Sequence, residues 1–234
     1  MASPRMLYTF SCSGIGSDGY ARAGFDVTCV DIDHRALKHN PHTKIHADAL
    51  DVLRDKAFLD TFDVVHASPP CQLYSATRRL AEAQGKGKGR AVDLLGPTLE
   101  LLRDWGGPWT VENVERSPLR DEPNRARICG SSFGLVVQRH RLFGFSDHFD
   151  GPSISTVCDH STFPIDPDSG KPRPWGVYYA KGDRIPSGGR TVDTLEQGLE
   201  AMGVDRRVPW KYLCESIPPA YTEHVGRRLL EVLL

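Results

Sequence analysis

Along residues 1–145 the chain repeats one pattern: a short apolar run, a turn, a helical stretch and another apolar run. "MLYTFSC", "FDVTCVDID", "KIHADAL", "FDVVHAS", "PWTVENV" and "RHRLFGFS" read as buried strands, rich in β-branched and aromatic residues. "YARAG", "ALDVLRDKAFLDTF" and "GPTLELLRDWG" have helical spacing, the last with its leucines on one face. Strands that alternate with helices pair in parallel, because each helix carries the chain back over the sheet. The expected class is therefore α/β, built from βαβ units.

The texture changes after about residue 146. Residues 146–189 are rich in Pro, Gly, Asp and Ser, and "WGVYYA" is the one strand expected there. Helical spacing returns in "TLEQGLEAMG" and "AYTEHVGRRLLEVLL". The chain thus divides into a domain at 1–145, a small irregular insert at 146–189, and a C-terminal helical segment at 190–234 that completes the domain.

Composition excludes several classes. With 25% charged and 39% hydrophobic residues in 234, the chain reads as soluble and globular. No apolar stretch reaches the roughly 18 residues of a membrane span, and "MASPRMLYTF" lacks the apolar core of a signal peptide. Six scattered cysteines are too few for a disulfide scaffold, so the expectation is a cytoplasmic monomer. The net charge of −1 means that any nucleic-acid surface must be a local patch.

Two stretches carry chemistry. In "FSCSGIGSDG" glycines stand at a strand-to-helix turn, where a ligand can approach the backbone and the helix N-terminus offers free N–H groups. The next strand ends at Asp31 and Asp33, where a carboxylate can accept from a ribose hydroxyl, and Asp48 ends the third. In "HASPPCQLYSATRR", Pro69 and Pro70 hold Cys71 at a strand end, the edge where open α/β sheets bind ligands. Cysteine is a soft nucleophile whose thiolate is accessible near neutral pH. Enzymes that methylate exocyclic amines resemble one another in a Pro-Pro-aromatic motif; a cysteine in the aromatic's place suits covalent attack on a ring carbon.

"FSCSGIGSDGYARAGFDVTCVDID", "SPPCQ", "ENV" and "RHRLFG" occur in the order and approximate spacing of the DNA (cytosine-5) methyltransferases, and "ESIPPAYTEHVGRRL" resembles their C-terminal motif. The likeness covers most of residues 6–145 and about 190–230, and "ENVERSPLRDEP" with "CGSSFGL" is similar to compact phage-encoded members. It implies a Rossmann-like class I S-adenosylmethionine-dependent fold and methyl transfer to carbon 5 of a cytosine in double-stranded DNA. By this resemblance Cys71 is the nucleophile that adds to carbon 6. Glu112 hydrogen-bonds or protonates ring nitrogen 3. Arg139 and Arg141, alternating on one strand, face the pocket together, orient Glu112 and bind the base carbonyl.

The resemblance also implies the cofactor contacts. Phe10 packs on the adenine, and Cys12, Ser13, Gly14, Ile15 and Gly16 wrap the methionine part. Asp31 holds the ribose, Ile32 touches the adenine, Asp48 with Ala49 lies at its amino group, and Pro70 lies near the methyl-bearing sulfur. The target base must leave the duplex, and the basic, Gly-rich stretch after the nucleophile suits a loop closing over DNA. Gln72, Ser75, Arg78, Arg79, Lys86, Lys88 and Arg90 are candidate DNA contacts there, with Lys171, Arg173, Trp175 and Arg184 in the insert.

Three positions depart from the family pattern. Cys12 stands where a glycine is usual, Val137 falls at the place of the glutamine before the arginines, and Cys214-Glu215 replaces Gly-Asn. Cys158 and His160 have ligand chemistry, but no second pair follows at ligand spacing, and no metal is expected. Two rivals stay open: the same chemistry on RNA, on a modified pyrimidine or with a larger transferred group, and a DNA- or cofactor-binding module without catalysis. Self-protection against restriction and partnership with a nuclease would use the same activity.

Overall fold

The computed structural model describes residues 2–74, 92–178 and 188–233. The strands are β1 Arg5–Thr9, β2 Asp26–Asp31, β3 Thr43–His46, β4 Val64–Ala67, β5 Trp109–Val114, β6 Arg125–Ile128 and β7 Arg141–Phe145. They form one sheet in the order β3-β2-β1-β4-β5-β7-β6. β1 to β5 pair in parallel. β7 inserts antiparallel between β5 and β6. The order reverses between β1 and β4, which opens a crevice at the carboxyl ends of those strands.

Helices cover both faces: α1 Ile15–Ala23, α2 His34–Leu37, α3 Ala49–Arg54, α4 Lys56–Leu59, α5 Leu95–Trp105, α6 Gly151–Ile154, α7 Leu195–Met202, α8 Trp210–Glu215 and α9 Pro219–Leu233. On one face Tyr20 and Phe25 pack with Tyr221, Val225 and Leu229 of α9. On the other, Leu53, Leu59, Leu95, Leu99 and Leu102 pack on Leu7, Val65 and Val111. Each such side chain contributes about 1.5–3 kcal/mol when fully buried. The contact between α1 and α9 is backbone-close: a Cβ on Gly19 would lie 2.0 Å from the Pro219 carbonyl oxygen. A third cluster, including Ile15, Val137, Val177, Met202 and Leu213, draws the C-terminal segment onto the arginine loop and the insert.

Several elements differ from expectation. β6 was not anticipated, because "RARI" is short and alternates arginine with apolar residues, as an edge strand does. "ALDVLRDKAFLDTF" is broken at Asp55, whose carboxylate accepts from Phe58 N at 3.0 Å and starts α4. α1 begins inside the glycine stretch, after the left-handed Gly14. α8 was not anticipated either. Within "WGVYYA" the described residues form only single bridges, Val137 to Trp175 and Gly176 to Thr191. No described helix is long and apolar enough to cross a membrane.

Candidate active site

The turn after β1 is bent by three left-handed residues, Phe10 (φ 57°), Cys12 (φ 50°) and Gly14 (φ 80°). Non-glycine residues there cost roughly 1–3 kcal/mol each. Asp31, at the end of β2, holds the bend: its carboxylate accepts from Cys12 N at 2.7 Å and from Asp33 N at 2.8 Å. The carboxylate expected at a ribose is thus first a brace for the loop, with lone pairs left for a ligand. The glycines are also tied to packing. A Cβ on Gly16 would lie 2.4 Å from the Tyr8 hydroxyl, and one on Gly14 would lie 2.6 Å from Asn40 Cγ.

Around this turn the expected cofactor residues converge. Phe10 is half-buried, Ser13 and Ile15 are buried, and Ser13 Oγ has no hydrogen-bond partner among the described residues. Ile32 is 67% exposed beside Asp31, an apolar surface with no covering neighbour. Asp48 caps α3 by accepting from Leu50 N at 2.8 Å, with Ala49 buried behind it. Pro70 is exposed and Pro69 buried at the facing strand end.

The residues expected to be catalytic lie around the carboxyl ends of β4 and β5. The Asn113 side chain donates to the Pro69 carbonyl at 2.9 Å, so "ENV" fastens the "SPPC" loop to β5. Cys71 follows, half-buried, in a turn closed by Tyr74 N donating to its carbonyl at 2.9 Å. Glu112 is buried and pairs with Arg141, Nε to Oε1 at 2.9 Å. Arg141 stands opposite Val114 in the β5–β7 register, which makes it the diagonal neighbour of Glu112 on the same face.

Arg139 does not share that strand, since β7 begins at Arg141. It sits in the preceding loop with φ 35° and a buried side chain. Its guanidinium donates to the Val177 carbonyl at 3.1 Å and to that of Cys214. Nε has no hydrogen-bond partner among the described residues. Tyr221 of α9 donates to the Arg139 carbonyl at 3.0 Å and braces the loop. Both arginines still act electrostatically on Glu112 and Cys71.

Burial holds the Glu112 carboxyl above the usual carboxylate range, with Arg141 and then Arg139 pulling against it. Burial likewise raises the Cys71 thiol; Arg141 opposes, Glu112 adds to the rise, and Arg139 opposes more weakly. The free protein therefore favours a thiol, in contrast to the thiolate expected near neutral pH. The sulfur is desolvated, and the positive charges do not fully compensate.

Beneath this set lies a polar chain that sequence reasoning missed. Ser68 hydrogen-bonds Glu112, and its Oγ lies 3.0 Å from Tyr8 Oη and 2.9 Å from His66 Nε2. His66 Nδ1 lies 2.9 Å from Tyr20 Oη. Burial pushes His66 down to about 3, so it stays neutral. Arg206 was also missed: it pairs with Asp18 at 2.8 Å and donates to the carbonyls of Ser13 and His39, latching the turn after β1 to the C-terminal segment. Both sets bridge distant parts of the chain, and only Ser68, inside "SPPC", carried a sequence signal.

Cys12 and Glu215, two of the positions that depart from the cytosine-5 methyltransferase pattern, meet in space. Cys12 Sγ donates toward Glu215 Oε2 at 4.0 Å, and burial with that carboxylate pushes the Cys12 thiol up to about 12. Among the expected DNA contacts, Gln72 and Lys171 are exposed. Arg173 is half-buried with its guanidinium against Gly188, and Trp175 is half-buried in its bridge to Val137. Ser75, Arg78, Arg79, Lys86, Lys88, Arg90 and Arg184 lie outside the described residues. Cys158 and His160 have no second pair at ligand spacing in the sequence, but the fold brings Cys129 and His140 to them.

No family model matches the chain, and no curated protein matches it. Solved structures do. A protein described as a DNA modification methyltransferase encoded within an E. coli prophage superposes with a TM-score of 0.61 at 16% identity, over 99% of both chains. A mutant of Spodoptera frugiperda DNMT2 gives 0.58 at 16% identity, again over 99% of each. S. pombe Dnmt2 methyltransferase gives 0.59 at 15% identity, over 97% of this chain and 98% of its own. The chain shares the fold of these methyltransferases. The expected Rossmann-like α/β architecture is borne out, and at such identities the likeness is one of fold.

Proposed function

We propose that the protein is an S-adenosylmethionine-dependent DNA cytosine-5 methyltransferase in which Cys71 bonds transiently to carbon 6 of a flipped cytosine. The observation that carries this reading is the buried Glu112–Arg141 pair at one end of the sheet, within electrostatic reach of the Cys71 thiol. The β1–β2 end fits the cofactor: the exposed face of Ile32 suits an adenine, Asp31 retains acceptor capacity for a ribose, and the buried Ser13 hydroxyl is unpartnered. S-adenosylmethionine, when bound, supplies a methyl group whose sulfonium leaves as a neutral thioether. Residues 1–145 and 190–234 form the catalytic domain in this reading, and 146–189 meet the target.

The protein's own groups do the rest. As the sulfur–carbon 6 bond forms, the thiol proton passes to water and the electrons of the 5,6 double bond move into the ring. Glu112, whose proton affinity burial raises, takes up a proton and delivers it to nitrogen 3, and so removes the developing charge. Arg141 holds Glu112 in place and stabilises the sulfur as it loses its proton. Carbon 5, now nucleophilic, takes the methyl. A base removes the carbon 5 proton, the sulfur–carbon 6 bond breaks to restore the double bond, and nitrogen 3 returns its proton to Glu112.

The test is trapping on double-stranded DNA containing 5-fluorocytosine with S-adenosylmethionine present. Fluorine at carbon 5 cannot leave as a proton, so a denaturation-resistant adduct is expected. An adduct on the corresponding RNA alone would move the reading to an RNA acceptor. No adduct on either, with cofactor still bound, would make the chain a binding module.

A further inference from the structure

We infer that Cys129, His140, Cys158 and His160 bind one structural zinc ion that staples the insert to the loop carrying the arginine pair. The four ligand atoms lie within 4.8 Å of one another. Cys129 Sγ is 3.4 Å from His160 Nε2, and Cys158 Sγ is 3.4 Å from His140 Nε2. Zinc–sulfur bonds of about 2.3 Å and zinc–nitrogen bonds of about 2.0–2.1 Å at a tetrahedral angle separate S and N by roughly 3.5 Å. Two thiolates and two imidazoles select zinc over the harder divalent ions.

The surroundings suit a metal. Glu115 Oε2 lies 3.1 Å from His140 Nδ1, the carboxylate–histidine arrangement that leaves Nε2 free for an ion. Arg127 Nη1 donates to Cys158 Sγ at 3.2 Å, its Nε pairs with Glu115 at 2.5 Å, and Nη2 lies 2.8 Å from His140 Nδ1. Cys129 is buried, where a lone thiol is held high by desolvation. Zinc binding displaces one proton from each thiol, and the two thiolates neutralise the ion. The ligand loops are already fastened together: Asp159 N donates to Ser131 Oγ at 3.1 Å, Ser132 Oγ to the Val157 carbonyl at 2.8 Å, and His160 stacks on Phe163.

The consequence reaches the proposed active site. His140 stands between Arg139 and Arg141, in a loop that bends through a left-handed residue. Fixing its ring to Cys129 at the end of β6 and to the insert fixes the backbone from which both guanidiniums project. The zinc residues are positioning residues, since none touches the reacting atoms.

The experiment measures metal by mass spectrometry in full-length protein expressed with zinc and dialysed without chelator. About one zinc per chain is expected, retained in Cys71→Ala and lost in both Cys158→Ser and the surface variant His160→Ala, which spares the buried Cys129. Cobalt substitution should give the visible bands of a tetrahedral sulfur–nitrogen site in the parent protein and not in these variants. Native thiol titration should expose two more reactive thiols after chelation. Absence of zinc after incubation with it would overturn the inference, leaving Arg127 as the partner of Cys158. A Cys129–Cys158 disulfide, or zinc retained in both ligand variants, would overturn it equally.

Discussion

The two sides of the crevice are built differently. At the β1–β2 end the turn is shaped by main chain: left-handed residues, carboxylates that accept backbone N–H groups, and glycines against which Tyr8, Asn40 and Pro219 pack. At the β5–β7 end the shape comes from buried charge: Glu112 against Arg141, Arg139 tied to carbonyls of the insert and of α8, and Ser68 passing a hydrogen bond on to His66. The first end is built mostly by residues 8–40, with Arg206 and Pro219 closing on it, and suits a cofactor that needs a preformed cradle. The second gathers groups from five regions of the chain and suits chemistry that moves protons. A buried ion pair is weak evidence for stability, so its use here points to function.

Changes at the charged end should affect rate, and changes at the main-chain end should affect folding. The largest effect is expected for Cys71→Ala, which should lower methyl transfer by roughly 10^4-fold or more while leaving DNA binding nearly intact; single-turnover assays beside a binding titration check both. Glu112→Gln should lower kcat by about 10^2- to 10^4-fold, because the amide keeps a contact to Arg141 but cannot deliver a proton. Cofactor affinity measured by calorimetry should stay unchanged in that variant. A large loss of cofactor binding there would break the separation of the two ends.

Gly19→Ala tests the other side. Its Cβ would meet the Pro219 carbonyl oxygen at 2.0 Å and Thr222 Oγ1 at 2.1 Å, so α1 and α9 must separate. Overpacking of this kind costs typically 1–3 kcal/mol, to be read as a lower urea midpoint with an unchanged slope. The last effect concerns the polar chain between the two ends. His66 is held at about 3 in the folded protein against 6.5 for the free group. Its share of stability is therefore full above about pH 6.5 and falls by about 1.4 kcal/mol per pH unit as pH drops towards 3. That slope should be absent from the His66→Gln curve, so the difference between the two stability curves should carry it alone. Glu112, whose value is raised, contributes with the opposite sign in both proteins and cancels.

The same contrast explains what the sequence made legible. β1, β2, β4, β5 and β7 announce themselves as apolar runs, and "SPPC" with "ENV" marks two loops that the fold fastens together. β6 does not, because its arginines mask a strand that needs β7 beside it. Arg139 was expected on a strand because alternate residues share a face, and the left-handed loop before β7 defeats that rule. Tyr20 to His66, Ser13 to Arg206 and Cys129 to His160 join residues 46, 193 and 31 positions apart. Such pairings exist only once the sheet has formed.

The central claim is that one sulfur, Cys71, carries the substrate. Its most direct test is peptide mapping of the adduct formed with 5-fluorocytosine DNA and cofactor. The account predicts one modified peptide, containing Cys71 and lost in Cys71→Ala. An adduct on Cys12 or Cys158, or one that survives the loss of Cys71, would contradict it.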